Sequence, residues 1–290
     1  MKKLIYFFAL IIPFAGTAQT GSEIYLFDMK VDNKNITLSK PVNISNHKGY
    51  DSQPYFSGSD PVVYYTAAND SGNADIKIYN YATGNTVQFT DTKENEFSPT
   101  LTPDKKFISC IIQRQSGVQD LGKYPLDGGS PVILINNMVV GYHSWIDNNS
   151  LLLFILDDTA NNSLHYYNLL TKEDKIIIKN PGRSLHKVPG ENAMSFTDKS
   201  SANEWLIKKM DCKTMAITNI TATIAGHEDL CWTNNGLLLM SDGEKIFYYK
   251  PGGNVGWQKV LLTDTNFMFK NITRIAVNAA NTKLAIVASE

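Results

Sequence analysis

Ser52-Gln53-Pro54-Tyr55-Phe56-Ser57 opens the pattern that decides the fold. An apolar run follows at residues 62–66, then a polar turn at 69–73, then Asp75-Ile76-Lys77-Ile78-Tyr79, then a short run at 86–90. Such stretches, rich in Ile, Val, Tyr and Phe and set between Asn, Asp, Gly and Pro clusters, are strands rather than helices. The same order returns at Phe97-Ser98-Pro99-Thr100-Leu101-Thr102-Pro103-Asp104, with runs at 107–112, near Tyr124 and at 132–135. A third copy starts near Ser144-Trp145-Ile146-Asp147, a fainter fourth near Lys187, and a fifth at Cys231-Trp232-Thr233. With Pro54, Pro99, Ser144, Lys187, Cys231 and Ala276 taken as equivalent, the spacings are 45, 45, 43, 44 and 45 residues. Four short strands at this period make a propeller blade.

The sixth copy has only two strands, at 272–277 and 283–288, before the chain ends. Two further strands stand at the other terminus, Glu23-Ile24-Tyr25-Leu26-Phe27-Asp28 and residues 36–44. An open array leaves unpaired edges that invite association, and pairing the two half-repeats into one mixed blade removes them. The expectation is an all-β chain, a six-bladed β-propeller of four-stranded blades, with the last blade closed by N-terminal and C-terminal strands together. Residues 22–28 should then lie between the C-terminal strand and the strand at 36–44.

At these motifs the chain resembles the TolB-like propellers, whose WD40-like repeat reads Ser-x-Pro-x-Phe-Ser-Pro-Asp-Gly, a short strand, then a polar turn into Asp-Ile-Tyr. The match is best at residues 52–57, 98–106 and 69–79 and faint at 183–223; Lys105 stands where the family has Gly, and Gly58-Ser59-Asp60 replaces Pro-Asp-Gly. The resemblance implies a six-bladed fold in an extracytoplasmic setting. Turn chemistry accounts for Pro99, Pro103 and Asp104, since Pro fixes φ and Asp caps the turn through its side chain. Trp145 and Trp232 hold equivalent first-strand positions and are expected to pack between neighbouring blades.

Residues 1–18 read as a secretory signal peptide: Lys2 and Lys3, an apolar stretch at 4–14 interrupted by Pro13, and Gly16-Thr17-Ala18 as a cleavage site. A spanning helix needs about 20 apolar residues. The expected organisation is a leader at 1–18 and one propeller at 19–290, free in the periplasm or secreted, with no transmembrane segment in the mature chain. Lys and Arg total 27 against 28 Asp and Glu, a net charge of -1, which excludes general nucleic-acid binding through phosphates. The hydrophobic share of 43% excludes a largely disordered chain. Cys110, Cys212 and Cys231 are odd in number and unpaired in spacing, so neither a disulfide scaffold nor a zinc ribbon is indicated.

First strands line a propeller's channel, and the loops leading into them surround one mouth. Those loops cover residues 46–51, 91–96, 137–143, 181–186, 225–229 and 266–274. They offer the acids Asp51, Glu96, Glu228 and Asp229, the cations Arg183, Lys270 and Arg274, and the imidazoles His47, His143, His186 and His227. Asp51, Glu96, His143, Arg183, His186, Glu228 and Arg274 are the candidate ligand-binding residues. Mixed charge suits a zwitterionic or mixed-charge ligand better than a polyanion. The histidines keep no metal-ligand spacing along one strand, so no metal, no cofactor and no catalytic residue is assigned. No Gly-x-Ser-x-Gly elbow, phosphate loop, dinucleotide fingerprint or His-Glu-x-x-His motif occurs.

Prolyl-peptidase-type proteins join a related propeller to a hydrolase domain, and here the propeller uses the chain from 19 onward. The leading expectation is therefore a monomeric, exported, non-enzymatic module that presents its channel mouth to a protein, peptide or cell-envelope component. Two alternatives remain. One is a sugar or lactone hydrolase or lyase using channel carboxylates such as Asp51 and Glu96, with calcium as in propeller lactonases. The other is a glycan-binding propeller using Tyr50, Tyr142, Phe267 or Phe269 as platforms.

Overall fold

The computed structural model describes residues 21–32, 35–58, 60–69, 71–157, 161–264 and 267–289; the leader expected at 1–18 lies outside the described residues. Two strands come first, β1 (Ser22–Val31) and β2 (Ile36–Asn43). The first blade is β3 (Asp51–Phe56), β4 (Val62–Ala68), β5 (Ala74–Asn80) and β6 (Asn85–Gln88). The second is β7 (Asn95–Leu101), β8 (Phe107–Gln113), β9 (Gln119–Pro125) and β10 (Val132–Ile135). The third is β11 (Val140–Trp145), β12 (Ser150–Ile155), β13 (Ser163–Asn168) and β14 (Asp174–Lys179). The fourth is β15 (Pro181–Lys187), β16 (Ala193–Asp198), β17 (Leu206–Asp211) and β18 (Ile217–Ala222). The fifth is β19 (Leu230–Trp232), β20 (Leu238–Ser241), β21 (Ile246–Tyr249) and β22 (Gln258–Lys259). Then come β23 (Leu261–Leu262), β24 (Arg274–Val277) and β25 (Lys283–Ser289). The chain is a six-bladed propeller.

The sixth blade closes the ring as the half-repeats require. Strand β1 lies between β25 and β2, antiparallel to both, with Ile24 opposite Val287 and Met29 opposite Leu38. One feature exceeds the expectation of four strands: β23 adds parallel to the free edge of β2, pairing Thr37 with Leu261 and Leu38 with Leu262. Residues 258–262 therefore bridge the outer edges of the fifth and sixth blades, which covers an edge that four strands alone would leave open.

Burial falls from the inside of each blade to its rim. The second strands β4 and β8 are buried along nearly their whole length, because neighbouring blades cover both of their faces, and they read as continuous apolar runs. At the rim, β6 is exposed throughout. The core is accordingly divided among the seams between blades. Ile111, Leu121 and Ile135 of the second blade meet Trp145, Leu151 and Leu153 of the third. Phe27, Leu284 and Ile286 of the sixth meet Leu239, Ile246 and Tyr248 of the fifth. Trp145 and Trp232 pack in seams as expected, and each indole N–H donates to a serine of the preceding blade, Ser109 at 2.9 Å and Ser195 at 2.8 Å.

The turn from first to second strand shows why the repeat is written as it is. In the second blade Thr102 and the backbone of Lys106 both donate to Asp104 Oδ1, at 2.5 and 3.2 Å. Lys105 follows with φ of 57°, a left-handed conformation that glycine adopts without strain. Gly190, Gly236 and Asn281 hold the same kind of conformation in the turns of later blades. Cys110 on β8, Cys231 on β19 and Cys212 in the turn after β17 are free thiols.

Candidate functional site

Inner strands of the ring enclose a channel of about 590 Å³. Of the seven candidates, His143, Arg183, His186 and Arg274 line it, and so do Tyr142 and Asp229. Glu228 instead borders a recess of about 20 Å³ beside the mouth, with His227, Asp229 and Arg274. Asp51 and Glu96 are buried, 1% and 0% exposed, and do not line the channel.

At the mouth, Asp229 is the hub. Arg183 donates from Nη2 to Oδ2 at 2.5 Å and from Nε to Oδ1 at 3.3 Å, while Arg274 donates from Nη1 to Oδ1 at 2.5 Å. Both arginines also reach the Thr273 carbonyl, at 3.1 and 3.4 Å. Arg274 donates from Nη2 to the Tyr142 hydroxyl at 3.1 Å and stands 5.4 Å from that ring's centre, which adds a cation–π contact. Glu228 extends the network, 3.6 Å from Arg183 Nε and 2.9 Å from Lys199 Nζ. Burial works to deprotonate Arg183, but the Asp229 carboxylate outweighs it and holds the guanidinium above its ordinary range. This cluster is tied together and half-buried.

The backbone makes room for it. A Cβ on Gly182 would stand 2.8 Å from Thr197 Cβ and 2.9 Å from Glu228 Oε2, so glycine lets β15 approach the Glu228 loop.

Both channel histidines are neutral. Ser109 donates its only hydroxyl proton to the Thr100 carbonyl at 3.0 Å and accepts the Trp145 indole N–H, so His143 must donate from Nε2 across their 2.8 Å contact. Its Nδ1 is left as a buried lone pair with no hydrogen-bond partner among the described residues. Ser184 likewise donates to the Leu230 carbonyl and accepts the Leu230 N–H, both at 3.0 Å, so His186 donates from Nε2 at 2.9 Å. Burial pulls each imidazole down to about 4.

Glu96 sits in the seam between the first and second blades. It accepts hydrogen bonds from Thr92 at 2.7 Å, Tyr124 at 2.8 Å and Thr90 at 3.2 Å. The Asp75 carboxyl is hydrogen-bonded to it. No cation touches Glu96 among the described residues, and burial, reinforced by the Asp75 charge, pushes it up to about 7. Asp75 is raised too, chiefly by burial. The pair is a proton-sharing seam rather than part of the mouth.

The aromatic platforms are distributed differently from the loop reading. Phe267 and Phe269 turn inward onto Phe27, with ring centres 5.4 and 5.5 Å away. Tyr50 packs edge-on to Phe97, and Tyr142 to Phe154. Among the described residues no three His, Cys, Asp or Glu side chains converge as a metal site requires.

Asp229 and Tyr142 carried more signal than their loop positions suggest. Each stands two residues before a repeat-equivalent position, 231 and 144, as Arg274 stands two before 276. Aligning the repeats therefore puts all three at one level of the channel.

No family model matches the sequence, and no curated protein matches it. Solved structures do. A TolB-like protein from Agrobacterium tumefaciens superposes with a TM-score of 0.69 at 11% identity, over 94% of this chain and 99% of that one. TolB from Acinetobacter baumannii gives 0.59 at 10%, over 93% of this chain and 65% of that one. A gluconolactonase from Xanthomonas campestris gives 0.62 at 10%, over 85% and 88%. Likeness at this identity is likeness of fold. Propellers host unrelated functions, so function has to be argued from the mouth itself. No helix among the described residues is long and apolar enough to cross a membrane.

Proposed function

We propose that this chain is an exported, non-catalytic binding module of the TolB-like propeller type, which presents one channel mouth to a protein, peptide or cell-envelope component. Export is read from Lys2, Lys3 and the apolar stretch that follows them. The observation that supports the binding role is the Arg183–Asp229–Arg274 cluster on Tyr142, where polar groups from four blades meet at the opening of a channel. Convergence of several blades on one opening is what a binding site needs and what blade packing does not. A lactone-cleaving role needs a carboxylate available to act, whereas Asp229 is engaged by two arginines and Glu96 lies in a seam.

Photocrosslinking tests the assignment. A photoreactive side chain at Val139 or Lys270, on exposed loops leading to the first strands, should capture a discrete envelope component. The same group at Lys105 or Asn234, in turns at the opposite ends of those strands, should not. Capture only from the second pair would move the binding face, and turnover of a lactone or sugar by the purified chain would replace the binding role with an enzymatic one.

A further inference from the structure

Two guanidinium groups that meet on one carboxylate leave much of their hydrogen-bonding capacity free. An arginine carries five N–H donors in a fixed plane. Arg183 uses Nε and Nη2 on Asp229 and Thr273, which leaves both N–H groups of Nη1 without an acceptor among the described residues. Arg274 uses Nη1 on Asp229 and Thr273 and one N–H of Nη2 on Tyr142, which leaves Nε–H and the second Nη2 N–H. Both side chains line the channel and retain 31% and 15% exposure. Charge points the same way: Arg183, Arg274 and Lys199 stand against Glu228 and Asp229, a surplus of one positive charge. The channel wall also carries apolar groups from other first strands, Pro99 and Leu101 on β7 and the edges of Trp145 on β11 and Trp232 on β19.

We infer that Arg183 and Arg274 receive a single ligand carboxylate, the free C-terminus of a peptide whose last residue is apolar, on the N–H groups that Asp229 leaves free, and that Asp229 holds the two guanidinium groups in place for it. A planar guanidinium fork matches a carboxylate through two parallel N–H bonds. A surplus of one charge suits a monoanion and gives a polyanion nothing further to neutralise. The apolar wall receives the terminal side chain, and about 590 Å³ is within the range of small-ligand sites. This rests on the channel mouth being the binding face, as proposed above.

Calorimetric titration of the full chain with acetyl-Ala-Leu-Phe, as free acid and as amide, tests it. The acid should bind about ten-fold or more tighter than the amide, since a hydrogen-bonded charge is lost in the amide. Arg274→Gln should abolish that preference, and Asp229→Asn should tighten the acid several-fold by removing a negative charge beside the two guanidinium groups while its amide oxygen can still accept from them. Equal binding of acid and amide, no binding of either, or displacement of the acid by an equal concentration of inorganic phosphate overturns the inference. If Asp229→Asn fails to fold, the Arg274→Gln and amide comparisons still decide it. Rim crosslinking that persists undiminished in Arg274→Gln would remove the carboxylate from the account and leave the binding face standing. Acid-selective binding without rim capture would support the carboxylate site and count against the wider proposal.

Discussion

Replacing Glu96 by Gln should make the protein's stability less sensitive to alkaline pH. The carboxyl is 0% exposed, and burial with a neighbouring Asp75 lifts it from 4.5 to about 7. In the unfolded chain it titrates normally. Below pH 4.5 both states hold the proton and the contribution to stability is complete. As pH rises toward 7 the unfolded chain ionises first, so stability falls; above 7 the folded group ionises as well and the loss stops growing. At ~1.4 kcal/mol per unit the whole loss is about 3 kcal/mol, of which roughly 2.5 falls between pH 5 and pH 8. Gln still accepts from Thr92 and Tyr124 and can donate to Asp75, and it has nothing to ionise. Urea unfolding of both proteins at pH 5 and pH 8 measures the effect. The variant should gain about 2 to 3 kcal/mol relative to the parent between the two pH values. If the two proteins differ by the same amount at both, Glu96 is ionised throughout and the three hydroxyl donors outweigh burial, which would refute the reasoning.

The histidines should act in the opposite sense. His143 and His186 are held near 4 against an ordinary 6.5, so their contribution is complete above 6.5 and is lost as pH falls toward 4; His143→Gln should reduce that acid loss by about 3 kcal/mol in the same unfolding assay. Arg183→Ala and Arg274→Ala together should lower the melting temperature by several degrees rather than leave it unchanged, because Asp229, with a side chain only 18% exposed, loses both partners; scanning calorimetry checks this. Gly182→Ala should destabilise by about 1 to 3 kcal/mol through its clash with Thr197 and Glu228, and an unaltered urea midpoint would contradict that close approach. Iodoacetamide should leave Cys110 and Cys231 unmodified in the native protein, since burial both hides the thiols and opposes ionisation, and mass spectrometry should find all three labelled after denaturation.

The ring was legible in the sequence because blade geometry is local and repeated. A strand buried on both faces must be apolar along its length, a tight turn needs residues such as Pro103 and Asp104, and six copies of that grammar fall 43 to 45 residues apart. Closure was legible too, since half a blade at each end can satisfy its edges only with the other half, and β1 does lie between β25 and β2. Tertiary structure alone decided what the polar residues do. Asp51, Glu96 and Glu228 each stand three residues before a repeat-equivalent position, 54, 99 and 231, and Asp229 stands two before, so they lie at nearly one height with side chains on alternate sides of the chain; the repeat sets that alternation but not what each side chain meets. Glu96 faces a seam and finds Thr90, Thr92 and Tyr124, while Asp229 faces the opening and finds arginines 46 positions before it and 45 after. Those partners come from other blades, and only closing the ring brings them within hydrogen-bonding distance.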